Sequence, residues 1–262
     1  MVNEQISIST SFDYKVPIES QLALISKAGF THVSLGQNRS HFDYLWKQRR
    51  ADIRNLLVMH SLKVDTIHGP QLDKTDVDEL GAIAEAAAEL QSFVVVLHGG
   101  PFEFGQDQLD SRLIDLRKAC LQLAAISRNT GVMFALENLM PGPATELIRR
   151  VILEGDPSTI GFCYDSSHDQ IGGHRDFDLL LELKERLVAV HLSDRAREFV
   201  DHLIPGEGFI HWDSLCPILA SAEMAFPLLL EIMITNSVEK DPAKFLSLAF
   251  SRGSTLYHRL HD

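Results

Sequence analysis

The sequence is short of cysteine, of basic residues and of long apolar runs, and each shortage removes a class of protein. Its three cysteines, Cys120, Cys163 and Cys216, are isolated and odd in number. They form no zinc-type Cys pair and no disulfide framework, so a reducing cytoplasm is the expected compartment. No run reaches the roughly 20 apolar residues of a membrane span. Met1-Val2-Asn3-Glu4-Gln5 lacks the basic and apolar regions of a secretory signal, which points the same way. Lys and Arg number 24 against 36 Asp and Glu, a formal net charge of −12. That balance argues against a nucleic-acid partner, because phosphate binding calls for a basic face. No Pro/Ser-rich linker or low-complexity segment divides the chain. The Gly-rich phosphate turn of dinucleotide-binding sheets is also missing after the first apolar run, where the residues are Ser9-Thr10-Ser11-Phe12.

What the chain does have is repetition. Its 262 residues are 45% apolar, enough for a sizeable core. Short apolar runs rich in β-branched residues are expected as strands at 6–9, 31–35, 63–68, 93–98, 132–137, 160–165, at Leu187-Val188-Ala189-Val190 running into His191, and at 226–231. Amphipathic helices are expected between them: 17–28, about 44–60, from 75 to about 90, 109–129, 144–153, 177–186, 212–220 and 242 to about 258. Gly29 and Gly131 sit where C-caps belong, and Thr75-Asp76-Val77-Asp78 resembles a capping box. Eight strand–helix alternations in this length, at about 30 residues each, predict an α/β protein with a closed (β/α)8 TIM barrel as one domain over 1–262.

The ends of the apolar runs carry the chemistry. Runs three to eight stop at His68, His98, Glu137, Asp165, His191 and Glu231, with His168 and His202 on the loops beyond. In a barrel all these ends converge on one mouth. Six ionisable groups there would be unpaired in a partly desolvated site unless a divalent cation joined them. The mixed imidazole and carboxylate set suits Mn, Zn, Co or Fe, and Mg less well. Glu137, Asp165, His191 and Glu231 make a principal metal site. His68 and His98 complete a second one sharing Glu137, or touch substrate. His168 and His202 hold a third, or touch substrate. A hydrogen-bonded polar plug of the barrel mouth is the non-functional alternative. His32, His41, His60 and His174 are expected at the surface or at caps. Asn138, Asp194 and Glu207 are candidates for orienting the ligands, and Phe12, Trp46 and Trp212 for an apolar wall or the core.

The order His68-Gly69-Pro70, His98-Gly99-Gly100, Glu137-Asn138, Asp165-x-x-His168, His191-Leu192-Ser193-Asp194, His202-x-x-Pro205-Gly206-Glu207-Gly208 and Glu231 resembles the xylose-isomerase-like TIM-barrel superfamily over nearly the whole chain. That group holds sugar and sugar-phosphate isomerases and epimerases, inositol-catabolism enzymes and apurinic endonucleases. The resemblance to its ketose 3-epimerases implies one metal on Glu137, Asp165, His191 and Glu231. It also implies acid–base roles for the two glutamates, and substrate contacts from His168 and Arg197. Those epimerases carry a further Glu after the fifth strand, where this chain has Leu139-Met140-Pro141-Gly142-Pro143. The resemblance to the apurinic endonucleases implies three zinc ions on His68, His98, Glu137, Asp165, His168, His191, His202 and Glu231. The Asp expected two residues before His202 is replaced by Val200, and Asp201 is one place off.

Three functions follow as expectations. The first is a metal-dependent isomerase or epimerase, or a related lyase, acting on a small sugar, sugar phosphate or polyol. Glu137 and Glu231 would move the proton and the metal charge would hold the enediolate. The second is a multi-zinc phosphodiesterase of the apurinic endonuclease type. The third is a non-catalytic sugar-binding barrel. A small-molecule partner without nucleic acid or membrane is expected, together with a homo-oligomer of the kind this superfamily often forms.

Overall fold

The computed structural model describes residues 4–36, 38–196, 200–222 and 224–261. Among these, eight parallel strands alternate with helices. They are β1 (Ile6–Ser9), α1 (Ile18–Ala28), β2 (His32–Leu35), α2 (Lys47–Met59), β3 (Lys63–His68), α3 (Val77–Glu89), β4 (Val94–Leu97), α4 (Leu109–Thr130), β5 (Met133–Glu137), α5 (Pro143–Glu154), β6 (Ile160–Asp165), the one-turn α6 (Ser166–Asp169), α7 (Asp178–Leu183), β7 (Leu187–His191), α8 (Trp212–Ser221), β8 (Leu228–Leu230) and α9 (Pro242–His261). The strand order β7-β6-β5-β4-β3-β2-β1-β8 is sequential apart from its wrap. A parallel bridge between Leu192 and Leu230 joins the two ends. It is made by Leu192 N–H donating to Leu229 O and Glu231 N–H donating to Leu192 O. The sheet is thus closed into the expected barrel.

Side-chain alternation along each strand divides two environments. Outward residues such as Val95, Leu97, Phe134, Leu136, Phe162, Tyr164 and Val190 join the main core between strands and helices. Inward residues are small, and Val96, Ala135, Cys163 and Ala189 form a separate cluster on the barrel axis. The next inward position on each of those strands is His98, Glu137, Asp165 and His191. The two-residue period that hides the apolar core therefore also sends this polar set to the mouth.

Element ends differ from the sequence expectation in instructive ways. The cap of α3 is Asp76, whose carboxylate accepts from Glu79 N at 2.8 Å, so the box begins one residue later than Thr75. β8 is three residues long, and Glu231 lies just beyond it. A one-turn helix, α6, follows β6, with Asp165 as its N-cap. Gly29 and Gly131 cap α1 and α4 at φ +108° and +74°, as expected.

Candidate metal and substrate site

Glu137 is the hub of the mouth. It is fully buried. Its Oε2 lies 3.3 Å from each of His68 Nε2, His98 Nε2 and His191 Nδ1, and its Oε1 lies 3.2 Å from His168 Nδ1. The same His191 Nδ1 lies 2.9 Å from Glu231 Oε2. Asp165 divides its two oxygens between structure and site. Oδ1 accepts from His168 N at 2.6 Å and Ser167 Oγ at 3.0 Å, which closes the one-turn helix. Oδ2 is left facing the cluster. The Asp-x-x-His spacing is thus an N-cap geometry that delivers a carboxylate oxygen and an imidazole together. Asn138 supports it, accepting from Asp165 N at 2.7 Å and donating to Asp165 O at 2.9 Å.

The histidine tautomers follow from their partners. His68 Nδ1 faces Gly69 O at 2.9 Å, His168 Nδ1 faces Asn138 O at 3.0 Å, and His202 Nδ1 faces Glu231 O at 3.0 Å. A carbonyl only accepts, so each Nδ1 carries hydrogen in the neutral ring and each Nε2 keeps its lone pair. Backbone carbonyls orient metal-binding imidazoles in this way. His202 adopts φ +52° in doing so, a conformation uncommon outside glycine.

Among the described residues, no hydrogen bond of acceptable geometry reaches either oxygen of Glu137, Oδ2 of Asp165 or either ring nitrogen of His191. Five buried polar atoms left this way would be costly, and a cation takes up the carboxylate oxygens and one ring nitrogen of His191, the other nitrogen keeping its hydrogen. One donor atom each from Glu137, Asp165, His191 and Glu231 lies within 4.8 Å of the others, as do those of His68, His98 and Glu137. The donor chemistry therefore fits a divalent ion. Without one, protons take its place. Burial alone would raise both glutamates, but His191 and His98 hold Glu137 well below the usual carboxylate range, and His191 holds Glu231 at about 2. Burial alone would lower His168, but Asp165 and Glu137 raise it to about 9. Burial alone would also lower His191 and His68, but Cys163, Glu231 and Glu137 raise the first, and Glu137 and Glu231 raise the second.

A cavity of about 200 Å³ opens above the cluster, lined by Ser11, Tyr14, Gly36, His68, His98, Glu137, His168, His202, Glu231 and Met233. A larger hollow of about 440 Å³ opens at the opposite, amino-end face, beside Asp65, Val188 and Phe226. The convergent carboxylates and imidazoles mark the smaller one as the site. All the histidines and carboxylates anticipated from strand ends meet here. Arg197 lies outside the described residues. Several other expectations need correction. Phe12, stacked on Phe245 at 5.9 Å, and Trp212 lie in the core, one of the two roles expected for them, while Trp46 is exposed and fills neither. His41 is buried, with Nε2 donating to Tyr14 O. Among the described residues Asp194 makes no hydrogen bond to a histidine side chain, and acts instead through the loop that carries His202. Its carboxylate accepts from Arg195 N, Gly206 N, Ile210 N and Trp212 Nε1, and so folds the β7–α8 loop. Glu207 makes no hydrogen bond to a site histidine among the described residues. Asp201 cannot stand in for the missing carboxylate at 200, because it pairs with Arg195 Nη2 at 3.0 Å. His60 is the C-cap of α2, and His174 is exposed, as expected.

Three contributors went unforeseen. Tyr14 hangs over the cavity, and a Cβ at Gly36 would come within 2.6 Å of its hydroxyl. Burial, then the charge of Glu231, pushes the Tyr14 hydroxyl up to about 12. Phe102 sets its edge against His168 at 5.0 Å. Met233 follows Glu231 by two residues, the same inward period that marks the strand ends, and that period could have found it.

A (β/α)8 barrel with a carboxylate–imidazole cluster at the carboxyl ends of its strands defines the class. The family follows from the chain itself: residues 22–247 match the xylose isomerase-like TIM barrel model, and the chain belongs to that family. A curated relative, an uncharacterised protein of Sinorhizobium fredii, is 23% identical over 82% of this chain and 81% of its own. Among solved structures, the chain is similar to a 3-keto-D-glucoside 4-epimerase from E. coli at 17% identity and TM-score 0.74, covering 97% of this chain and 100% of that one. It is similar to the IolI protein with a binding zinc atom at 16% and 0.76, covering 97% and 98%. It is also similar to an AP endonuclease, family 2, from Brucella melitensis at 17% and 0.72, covering 93% and 97%. At these identities the structural likeness establishes the fold.

Proposed function

We propose that the protein is a metal-dependent isomerase or epimerase, or a lyase sharing its first step, acting on a small sugar, sugar phosphate or polyol in a reducing cytoplasm. The observation that carries this reading is the pair Glu137 and Glu231. Both approach one ring nitrogen of His191, at 3.3 and 2.9 Å, and both line one small cavity. Glu137, Asp165, His191 and Glu231 would hold a divalent ion, which supplies Lewis-acid charge for an oxygen that becomes anionic. One glutamate takes the proton from a carbon beside a carbonyl, and the other returns a proton there. The free Nε2 atoms of His168 and His202 accept hydrogen bonds from substrate hydroxyls. His68 and His98 take either substrate or a second ion through Glu137. The 3-keto-D-glucoside named for the E. coli neighbour makes keto-sugars the first substrates to try.

The test is incorporation of solvent deuterium into a panel of ketoses and 3-keto-glycosides. Glu231→Gln should slow exchange by about 10²–10⁴-fold with the fold intact. Full activity in that variant would end the proposal.

The multi-zinc phosphodiesterase is kept as a second reading by the His68–His98–Glu137 group. Two observations weigh against it. Asp201 is turned to Arg195, and Arg49 and Arg50 are already paired with Glu19 and Glu89 at 2.7 and 2.8 Å, which weakens them as phosphate contacts.

A further inference from the structure

Beneath the carboxylates of the mouth the barrel axis is filled by small side chains, and one of them is a thiol. Cys163 lies on β6 two residues before Asp165, so alternation turns both inward. It pairs in register with Glu137 on one neighbouring strand and Ala189 on the other. Its side chain is fully buried with Val96, Ala135 and Ala189. Its Sγ, a carboxylate oxygen of Glu137 and a ring nitrogen of His191 all lie within 4.8 Å of one another. Both partners are among the residues whose buried polar atoms are left without hydrogen bonds. Cys120 on α4 and Cys216 on α8 belong to no such group among the described residues.

We infer that Cys163, His191 and Glu137 form a second, softer cation position on the barrel axis, one that takes a thiophilic divalent ion such as Cd²⁺. The chemistry of the two donor sets separates them. The upper set offers three carboxylates and one imidazole, which suits hard and borderline ions. The lower set offers a thiolate, an imidazole and a carboxylate, which suits soft ones. On binding, the thiol proton leaves to solvent as the sulfur–metal bond forms, and no oxidation state changes. Because the sets share His191 and Glu137, an ion below withdraws two of the four donors from the ion above. A soft ion would therefore displace the working metal. This inference shares two residues with the proposed function but does not need the reaction to be an isomerisation.

The experiment titrates metal-free, full-length protein with CdCl₂ and follows the ultraviolet sulfur-to-cadmium charge-transfer band, with bound Cd²⁺ counted by elemental analysis. Wild type and Cys120→Ser/Cys216→Ser should both show a band saturating at about one equivalent, and Cys163→Ser should show none. In parallel, electron paramagnetic resonance of bound Mn²⁺ reads the upper site. Cd²⁺ should displace Mn²⁺ from wild type at concentrations at least about tenfold lower than from Cys163→Ser. A band that is absent from wild type, persists in Cys163→Ser or disappears from Cys120→Ser/Cys216→Ser overturns the inference, as does a lack of Cd²⁺ binding. Because the double serine variant keeps Cys163, poor folding of Cys163→Ser leaves the decision intact. A band without Mn²⁺ binding would instead count against the upper site alone.

Discussion

Asp165 shows how much one side chain does here: one oxygen caps a helix and the other faces a cation site, so its residue type is doubly constrained. Asp65 is the contrasting case, a carboxyl at the floor of the barrel with no ligand cluster around it. Burial, which the Ser7 hydroxyl offsets only in part, raises its pKa to about 7. The unfolded chain loses this proton near 4 and the folded chain near 7, so folding is progressively penalised as pH rises through that window and stays penalised above it. Asp65→Asn removes the penalty. The expected outcome is a higher melting temperature than wild type at pH 8, on the order of a few kcal/mol of stability, with the two proteins converging near pH 4. Thermal melts at both pH values check it, and equal midpoints at pH 8 would contradict the assignment. At this scale the sequence was readable wherever a polar residue ended an apolar run, as at His68, Glu137 and His191. Tyr14 and Phe102 were not readable, because they reach the cavity and the His168 ring respectively from loops whose path depends on tertiary packing. Cys163 was hidden for another reason: its inward position is shared with plain core residues such as Ala135.

At the scale of elements, the β7–α8 connection decides where His202 stands. Asp194 anchors it through four donors, and an antiparallel bridge pairs Asp194 with Leu203, the residue after His202. Met233 N–H then fixes His202 O at 2.7 Å. Asp194→Ala would leave four donors without a partner, at roughly 1–3 kcal/mol for each that stays buried. We expect a loss on the order of 3 kcal/mol in stability, together with weaker binding of any ligand that uses His202. Urea denaturation measures the first and ligand titration the second; a variant within 0.5 kcal/mol of wild type would show that the anchor is redundant. The Pro-Gly-Glu-Gly turn was legible as a turn, but its reason was not. A Cβ at Gly208 would sit 2.3 Å from both Arg195 O and Asp194 Oδ1, so glycine is needed for close packing against this anchor. The cap of α3 illustrates a similar limit. Thr75 and Asp76 are both good N-caps, and only tertiary placement selects Asp76.

At the scale of the whole molecule, the eightfold alternation was legible because each βα unit must bury one strand face and one helix face. Closure was expected from the unit count alone, yet it depends on a short bridge at Leu192 and Leu230, immediately beside His191 and Glu231. The seam of the barrel and the cation cluster are thus one place, and an ion joining His191 on β7 to Glu231 beyond β8 would also fasten the seam. Metal removal should therefore lower global stability as well as activity. If an ion binds the folded chain at 100 times its dissociation constant, it contributes about 2.7 kcal/mol. At roughly 2–4 °C per kcal/mol for a domain of this size, a chelator should lower the melting temperature by about 5–10 °C. Readdition of the native metal should restore it in wild type, and much less in Glu137→Gln, which loses the carboxylate that lies within 3.3 Å of His68, His98, His168 and His191. The same preparation, made without an affinity tag or added metal, gives the stoichiometry. About one Mn, Co, Fe or Mg per chain supports the isomerase reading with His68 and His98 as substrate contacts. Two or three Zn per chain would favour the hydrolase and call for an abasic-DNA cleavage assay. A melting temperature indifferent to both chelator and metal would remove the premise that the two readings share, because five buried polar atoms would then be satisfied by protons alone.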